Sequence, residues 1–88
     1  MPKPLRNPIV TRAIFKRSIV VAGHRTSISL EQEFWDALKD LARLRDQTIS
    51  FVVETVDKER EVVNLSSAIR LEILAEARAG RLPLRDGN

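Results

Sequence analysis

The chain has 88 residues, 15 Lys and Arg against 12 Asp and Glu for a net charge of +3, and no cysteine. Without cysteine there are no disulfides and no thiolate metal sites. The longest apolar run, Ile19-Val20-Val21-Ala22, falls far short of the roughly 20 residues that a membrane-spanning helix needs.

Hydrophobic residues make up 43% and charged residues 31%, the balance of a single soluble globular domain. At this length a monomeric core is only marginally adequate, and dimerisation is a common remedy. The basic N-terminus is followed by no apolar h-region with a cleavage site, so no secretion signal is read and a cytoplasmic location is expected.

The small net charge hides a strong asymmetry. Residues 1–30 carry Lys3, Arg6, Arg12, Lys16, Arg17 and Arg25 with no acidic residue, whereas the remainder has nine basic and twelve acidic side chains. Such a one-sided segment suits a polyanion, with nucleic acid the first choice and an anionic membrane surface the second.

Taken in order, residues 1–16 hold Pro2, Pro4 and Pro8 without periodicity and read as a basic, flexible arm. Residues 17–80 form the single domain, and residues 81–88 a loose tail. Ser18 to Ala22 is a β-branched run followed by Gly23-His24. Gly-X between two strands signals a two-residue type II′ hairpin, which would place Ala22 opposite Arg25 and Ile19 opposite Ile28. One longer strand with Gly23 as a bulge fits the same residues.

Arg25-Thr26-Ser27-Ile28-Ser29-Leu30 alternates polar and apolar side chains. At period two, Thr26, Ile28 and Leu30 share a core-seeking face, while Arg25, Ser27 and Ser29 share a hydrogen-bonding one. A strand this short must pair with another to satisfy its backbone.

Helical spacing begins at Glu31. Phe34, Ala37, Leu38, Leu41 and Ala42 draw one apolar stripe to about Arg45, with Trp35 off it, at a second packing contact such as a dimer seam. Glu31, Glu33 and Asp36 favour the dipole of the first turn. Thr48 caps a second helix with a stripe of Ile49, Val52, Val53 and Val56 that runs to about Glu59. Four β-branched residues are weak helix formers, so burial must hold this helix. Asn64 caps a third helix carrying Leu65, Ala68, Ile69, Leu71, Ile73, Leu74 and Ala75, which Gly80 ends.

No catalytic constellation is present. The one histidine, His24, lies in a predicted turn, no second histidine or cysteine can complete a zinc set, and no GxxxxGK[ST] or GxGxxG loop occurs. An enzyme is not expected, nor any cofactor or metal.

The order strand, tight junction, helix, short polar turn, helix capped by Thr48 resembles the ribbon-helix-helix family of DNA-binding proteins, which includes the Arc and MetJ repressors. The resemblance covers about Arg25 to Glu59. The helix after Asn64 looks like an extension found in one bacterial branch of the family.

The resemblance implies a mainly α fold with a short β-ribbon, β-α-α plus a third C-terminal helix, and an intertwined homodimer whose strands pair antiparallel. An extra N-terminal strand from Ser18 to Ala22 would widen that sheet. The implied dimer core is Ile28, Leu30, Phe34, Leu38, Leu41, Val52, Val53 and Val56.

A two-stranded ribbon fits the major groove. By position in the motif, Arg25, Ser27 and Ser29 would face the bases. Phosphate would meet Thr48, Ile49 and Ser50 at the start of the second helix, together with Lys3, Arg6, Arg12, Lys16 and Arg17. The implied partner is double-stranded DNA, bound by a transcriptional regulator. The alternative is a dimerisation module, antitoxin- or adaptor-like, that meets a protein through its C-terminal helix.

Overall fold

The computed structural model describes residues 13–82. The elements run β1 (Ile14–Val21), β2 (His24–Glu31), α1 (Gln32–Leu44), α2 (Ile49–Glu59) and α3 (Leu65–Arg78). This is the mainly α fold with a β-ribbon, a ribbon-helix-helix core and an added C-terminal helix. The arm residues Lys3, Arg6 and Arg12 lie outside the described residues.

β1 begins at Ile14, so the last three residues assigned to the arm belong to the sheet. It pairs antiparallel with β2 through the register Ile14↔Glu31 to Val21↔His24. The extra N-terminal strand is therefore present, and within this chain it is β1 that partners β2.

The turn differs from the expected one by a single position. Ala22 and Gly23 form the loop, at φ +53° and +84°, and His24 is the first residue of β2. Positive φ at both central residues defines a type I′ turn, whose twist matches that of the strands it joins. Glycine takes the second position without strain. Ala22 accepts the left-handed region at a cost of about 1–2 kcal/mol. The shift puts Ile19 opposite Thr26 and Arg17 opposite Ile28. Because the register moves by two residues and not one, every side chain keeps its expected face.

Both connections after α1 are closed by residues suited to them. Asp46 takes φ +56°. Its N–H donates to the Arg43 carbonyl at 3.1 Å, and that of Gln47 to the Ala42 carbonyl at 2.9 Å, a Schellman arrangement in which aspartate serves where glycine is usual. The Thr48 hydroxyl then accepts from the Phe51 N–H at 3.0 Å, and the Asn64 side chain accepts from the Ser67 N–H at 3.0 Å, so the predicted caps form. Gly80, at φ +78°, ends α3.

The three helices pack on the face of the hairpin that carries Ile28 and Leu30. Ile28, Leu30, Leu38, Leu41, Val52, Val53, Val56 and Ile69 are buried, with Phe34 packed against the cluster. All the residues assigned to a dimer core except the half-buried Phe34 are thus covered within one chain.

Trp35 stands off the main stripe of α1. It is 1% exposed, and its second packing contact is made within the chain, with β1. Its indole N–H donates to the Phe15 carbonyl at 3.0 Å, and the Arg17 guanidinium lies 4.9 Å from the ring centre. β1 creates this environment by lying across the start of α1.

Candidate nucleic-acid interface

Alternation along the hairpin separates two faces. Thr26, Ile28 and Leu30 turn to the helices together with Ile19 and Val21. The opposite face carries Lys16, Ser18 and Val20 from β1, and Arg25, Ser27 and Ser29 from β2. Ser18 stands opposite Ser27, Lys16 opposite Ser29 and Val20 opposite Arg25. All but Ser29 are exposed, and Ser29 is half-buried. The Arg25 guanidinium donates to the Ser18 hydroxyl at 3.4 Å, a long contact that leaves most of its donors unused.

The structure therefore brings Arg25, Ser27 and Ser29 together on one open face, and adds to them side chains that sequence reasoning did not place there. Lys16 joins this face. Ser18 and Val20 were read only as part of a β-branched run. Once a hairpin was allowed, their even spacing with Lys16 could have marked them.

Arg17 points the other way. Stacking on Trp35 holds it beside a groove lined by Ser18, Ile19, Val20, Ile49 and Ser50. The N–H groups of Ile49 and Ser50 belong to the first turn of α2, where the helix offers them no acceptor. The N–H of Phe51 is taken by Thr48. Thr48, Ile49, Ser50 and Arg17 thus come to one corner of the molecule, at the outer edge of the ribbon. Free amides, the positive end of a helix dipole and a cation together suit an anion.

The other edge of the ribbon is tied to α3. The Ser29 N–H donates to the Ser66 hydroxyl at 3.2 Å, and Arg70 reaches the Ser29 carbonyl at 3.5 Å. Arg70 also bonds Glu31 at 3.0 Å and lies 5.7 Å from the centre of the Phe34 ring. A bond from its own backbone amide, and then Arg70, hold the Glu31 carboxyl below the usual carboxylate range.

At the far end of α3, Arg81 grips Glu76 with two bonds of 3.0 Å, and Arg45 stands 3.5 Å from the same carboxylate. The Arg81 bonds and then the two cationic charges lower the Glu76 pKa, and the carboxylate in turn raises that of Arg81.

Among the described residues no group of three or more His, Cys, Asp or Glu is placed to hold a metal ion, and no helix is long and apolar enough to cross a membrane.

A hairpin with one polar, basic face, backed by helices and flanked by a helix N-terminus, defines a class of small ribbon proteins suited to a polyanion. The chain belongs to the ribbon-helix-helix family: the family model for a ribbon-helix-helix domain matches residues 14–77. The match takes in β1 and α3, beyond the Arg25 to Glu59 stretch that carried the resemblance. The family is in general one of non-enzymatic, DNA-binding regulators that form dimers.

Among solved structures, an uncharacterized protein from Bordetella pertussis Tohama I is similar, with a TM-score of 0.63 and 27% identity over 88% of this chain and 68% of that one. Among curated proteins no match is found.

Proposed function

We propose that the protein is a homodimeric, cytoplasmic transcriptional regulator that binds double-stranded DNA. It lays the polar face of its β-ribbon in the major groove and sets the start of α2 against backbone phosphate. The observation that carries this reading is the open face of Lys16, Ser18, Arg25, Ser27 and Ser29 beside a corner formed by Arg17, Ile49 and Ser50.

Arginine can bond guanine O6 and N7 together, a contact that discriminates by about 1–3 kcal/mol, whereas serine accepts several bases. Base selectivity is accordingly modest. Most of the affinity comes from Lys3, Arg6, Arg12 and Arg17, with the Thr48, Ile49 and Ser50 amides, acting on phosphate. A dimer doubles the basic N-terminal charge to about +12, so affinity falls steeply as salt rises.

Titration of generic and selected duplexes across salt concentrations tests the reading, and a complete lack of binding at low salt refutes it. Arg25→Ala lowers the preference for the selected duplex, whereas replacing Lys3, Arg6 and Arg12 weakens binding to every sequence alike. If all four changes act identically, the base-reading role of Arg25 is wrong.

A second reading rests on α3. Leu71 and Leu74 are 54% and 48% exposed, so this helix keeps an apolar row free for a protein partner. Light scattering addresses both readings, because a monomer at micromolar concentration contradicts the dimer that each assumes.

A further inference from the structure

We infer that residues 1–12, the basic arm, seat along an acidic trough between α2 and α3 of the same chain and leave it for DNA. The seat stands on the trough itself; its competition with DNA rests on the DNA-binding reading above.

The trough begins where the arm joins the fold. Ile14, the first residue of β1, lines a hollow with Val63, Asn64 and Ser66 at the start of α3. Val63 also borders the next hollow, with Asp57, Glu61 and Val62. Glu61 and Val62 lead in turn to a third, floored by Val56, Ala68 and Leu71 and rimmed by Glu59 and Glu72. A path therefore runs from Ile14 over the α2–α3 connection to the outer side of α3. Leu71 lies about 9 Å along that helix from its start. Twelve residues extend to about 40 Å, so the arm has ample reach.

Charge along the path is one-sided. The Arg60 guanidinium donates to Asp57 at 2.9 Å and to the Val62 and Val63 carbonyls. Lys58 stands 3.7 Å from Glu54, and Arg45 holds Glu72 at 2.8 Å. Each of these cations is already matched to a carboxylate. Glu59 and Glu61 are exposed and are left without an ion pair among the described residues. Two such carboxylates, close in the chain, attract a cation. The arm brings Lys3, Arg6 and Arg12 and no acidic residue.

The trough also has apolar surface to cover. Val62, Val63 and Leu71 are 38%, 94% and 54% exposed. Leu5, Ile9 and Val10 of the arm match them, and burying such surface favours the seat. Pro2, Pro4 and Pro8 restrict the backbone, which lowers the entropy lost when the arm settles.

The seat makes the trough a competitor for the charges that DNA needs. An arm held on Glu59 and Glu61 offers nothing to phosphate, so the apparent affinity for DNA falls in proportion to the fraction of molecules with the arm released. A duplex presents a dense row of phosphates, and it draws the arm out of the trough.

The test uses the full chain. Because the chain lacks cysteine, Asn7→Cys gives one thiol for a nitroxide spin label and removes no charge from the arm. Without DNA, the label is expected to broaden the NMR signals of the Leu71 and Glu72 amides, and Glu59→Gln/Glu61→Gln is expected to restore them. Broadening confined to the residues around Ile14 and Val63 overturns the inference, since mere tethering produces that much. Spin-labelled chains mixed with isotope-labelled chains that carry no spin label are expected to leave Leu71 sharp. Broadening there would put a partner's arm in the trough and overturn the assignment to the same chain.

Duplex titration then reads the competition. Glu59→Gln/Glu61→Gln raises affinity for a generic duplex at low salt by about threefold, and the gain disappears when Lys3, Arg6 and Arg12 are also changed to Gln. A gain that persists without the basic arm comes from direct repulsion between the two carboxylates and DNA, and it overturns the competition. A wild-type protein that binds no duplex at low salt removes the DNA-binding reading, while the broadening at Leu71 and Glu72 still decides the seat.

Discussion

Trp35→Phe tests the packing on which the ribbon depends. The indole is 1% exposed, its N–H donates to the Phe15 carbonyl at 3.0 Å, and Arg17 lies over its ring at 4.9 Å. The phenyl ring keeps much of the apolar contact but leaves space where the larger ring was, which costs about 1 kcal/mol. Loss of the buried hydrogen bond costs about 1 kcal/mol more. A smaller ring under Arg17 adds about 0.5 kcal/mol at this exposed guanidinium.

The variant is therefore destabilised by about 2–2.5 kcal/mol, and in a domain of this size Tm falls by roughly 10–20 °C. Urea unfolding followed by far-UV circular dichroism reads the change, since the variant has no tryptophan left to fluoresce. Arg17→Met isolates the stacking contribution at about 0.5 kcal/mol. A Trp35→Phe protein within about 0.5 kcal/mol of wild type would show that Trp35 does not fasten β1 to α1, and the reasoning fails.

Three further outcomes are expected. Ala22→Asn raises stability by about 1 kcal/mol, because asparagine tolerates the left-handed φ of +53° far better than alanine does; an unchanged urea midpoint contradicts the type I′ turn. Asp46→Asn keeps a residue able to hold the left-handed turn but removes a negative charge two residues before Thr48, so DNA affinity at low salt rises severalfold with little change in stability. No gain in a duplex titration argues against phosphate at the start of α2.

The Glu76 carboxyl is held below its ordinary value by Arg81 and Arg45. Its contribution is present above the unfolded glutamate pKa of about 4.3 and is lost as pH falls through the folded pKa. Glu76→Gln is thus less stable than wild type at pH 7 by about 1 kcal/mol, and the gap narrows below about pH 4. Thermal melts from pH 7 to 3 that show a constant gap exclude this linkage.

The sequence by itself determined the elements and the division of β2 into faces. Apolar spacing marked three helices, Thr48 and Asn64 announced two of their starts and Gly80 one end, because each signal acts within a turn or two of the chain. Strict alternation from Arg25 to Leu30 set the core side and the polar side whatever the partner strand, since a two-residue slip in register preserves them.

Only the tertiary structure decided what stands next to what. A strand's pattern records which face is buried but not which strand covers its edge, so neither β1 as partner nor the Ser66 and Arg70 contacts to Ser29 could be read from spacing. The partner of Trp35 at its second contact was hidden for the same reason. A single helix shows one stripe, and the second contact that buries Trp35 comes from β1, some twenty residues earlier. Lys16 and Arg17, adjacent in sequence, end on opposite faces of the hairpin, one beside the serines of the polar face and the other stacked on the core tryptophan near α2. That separation follows from the two-residue period of a strand, and it became visible once residues before Ser18 were known to be in the sheet.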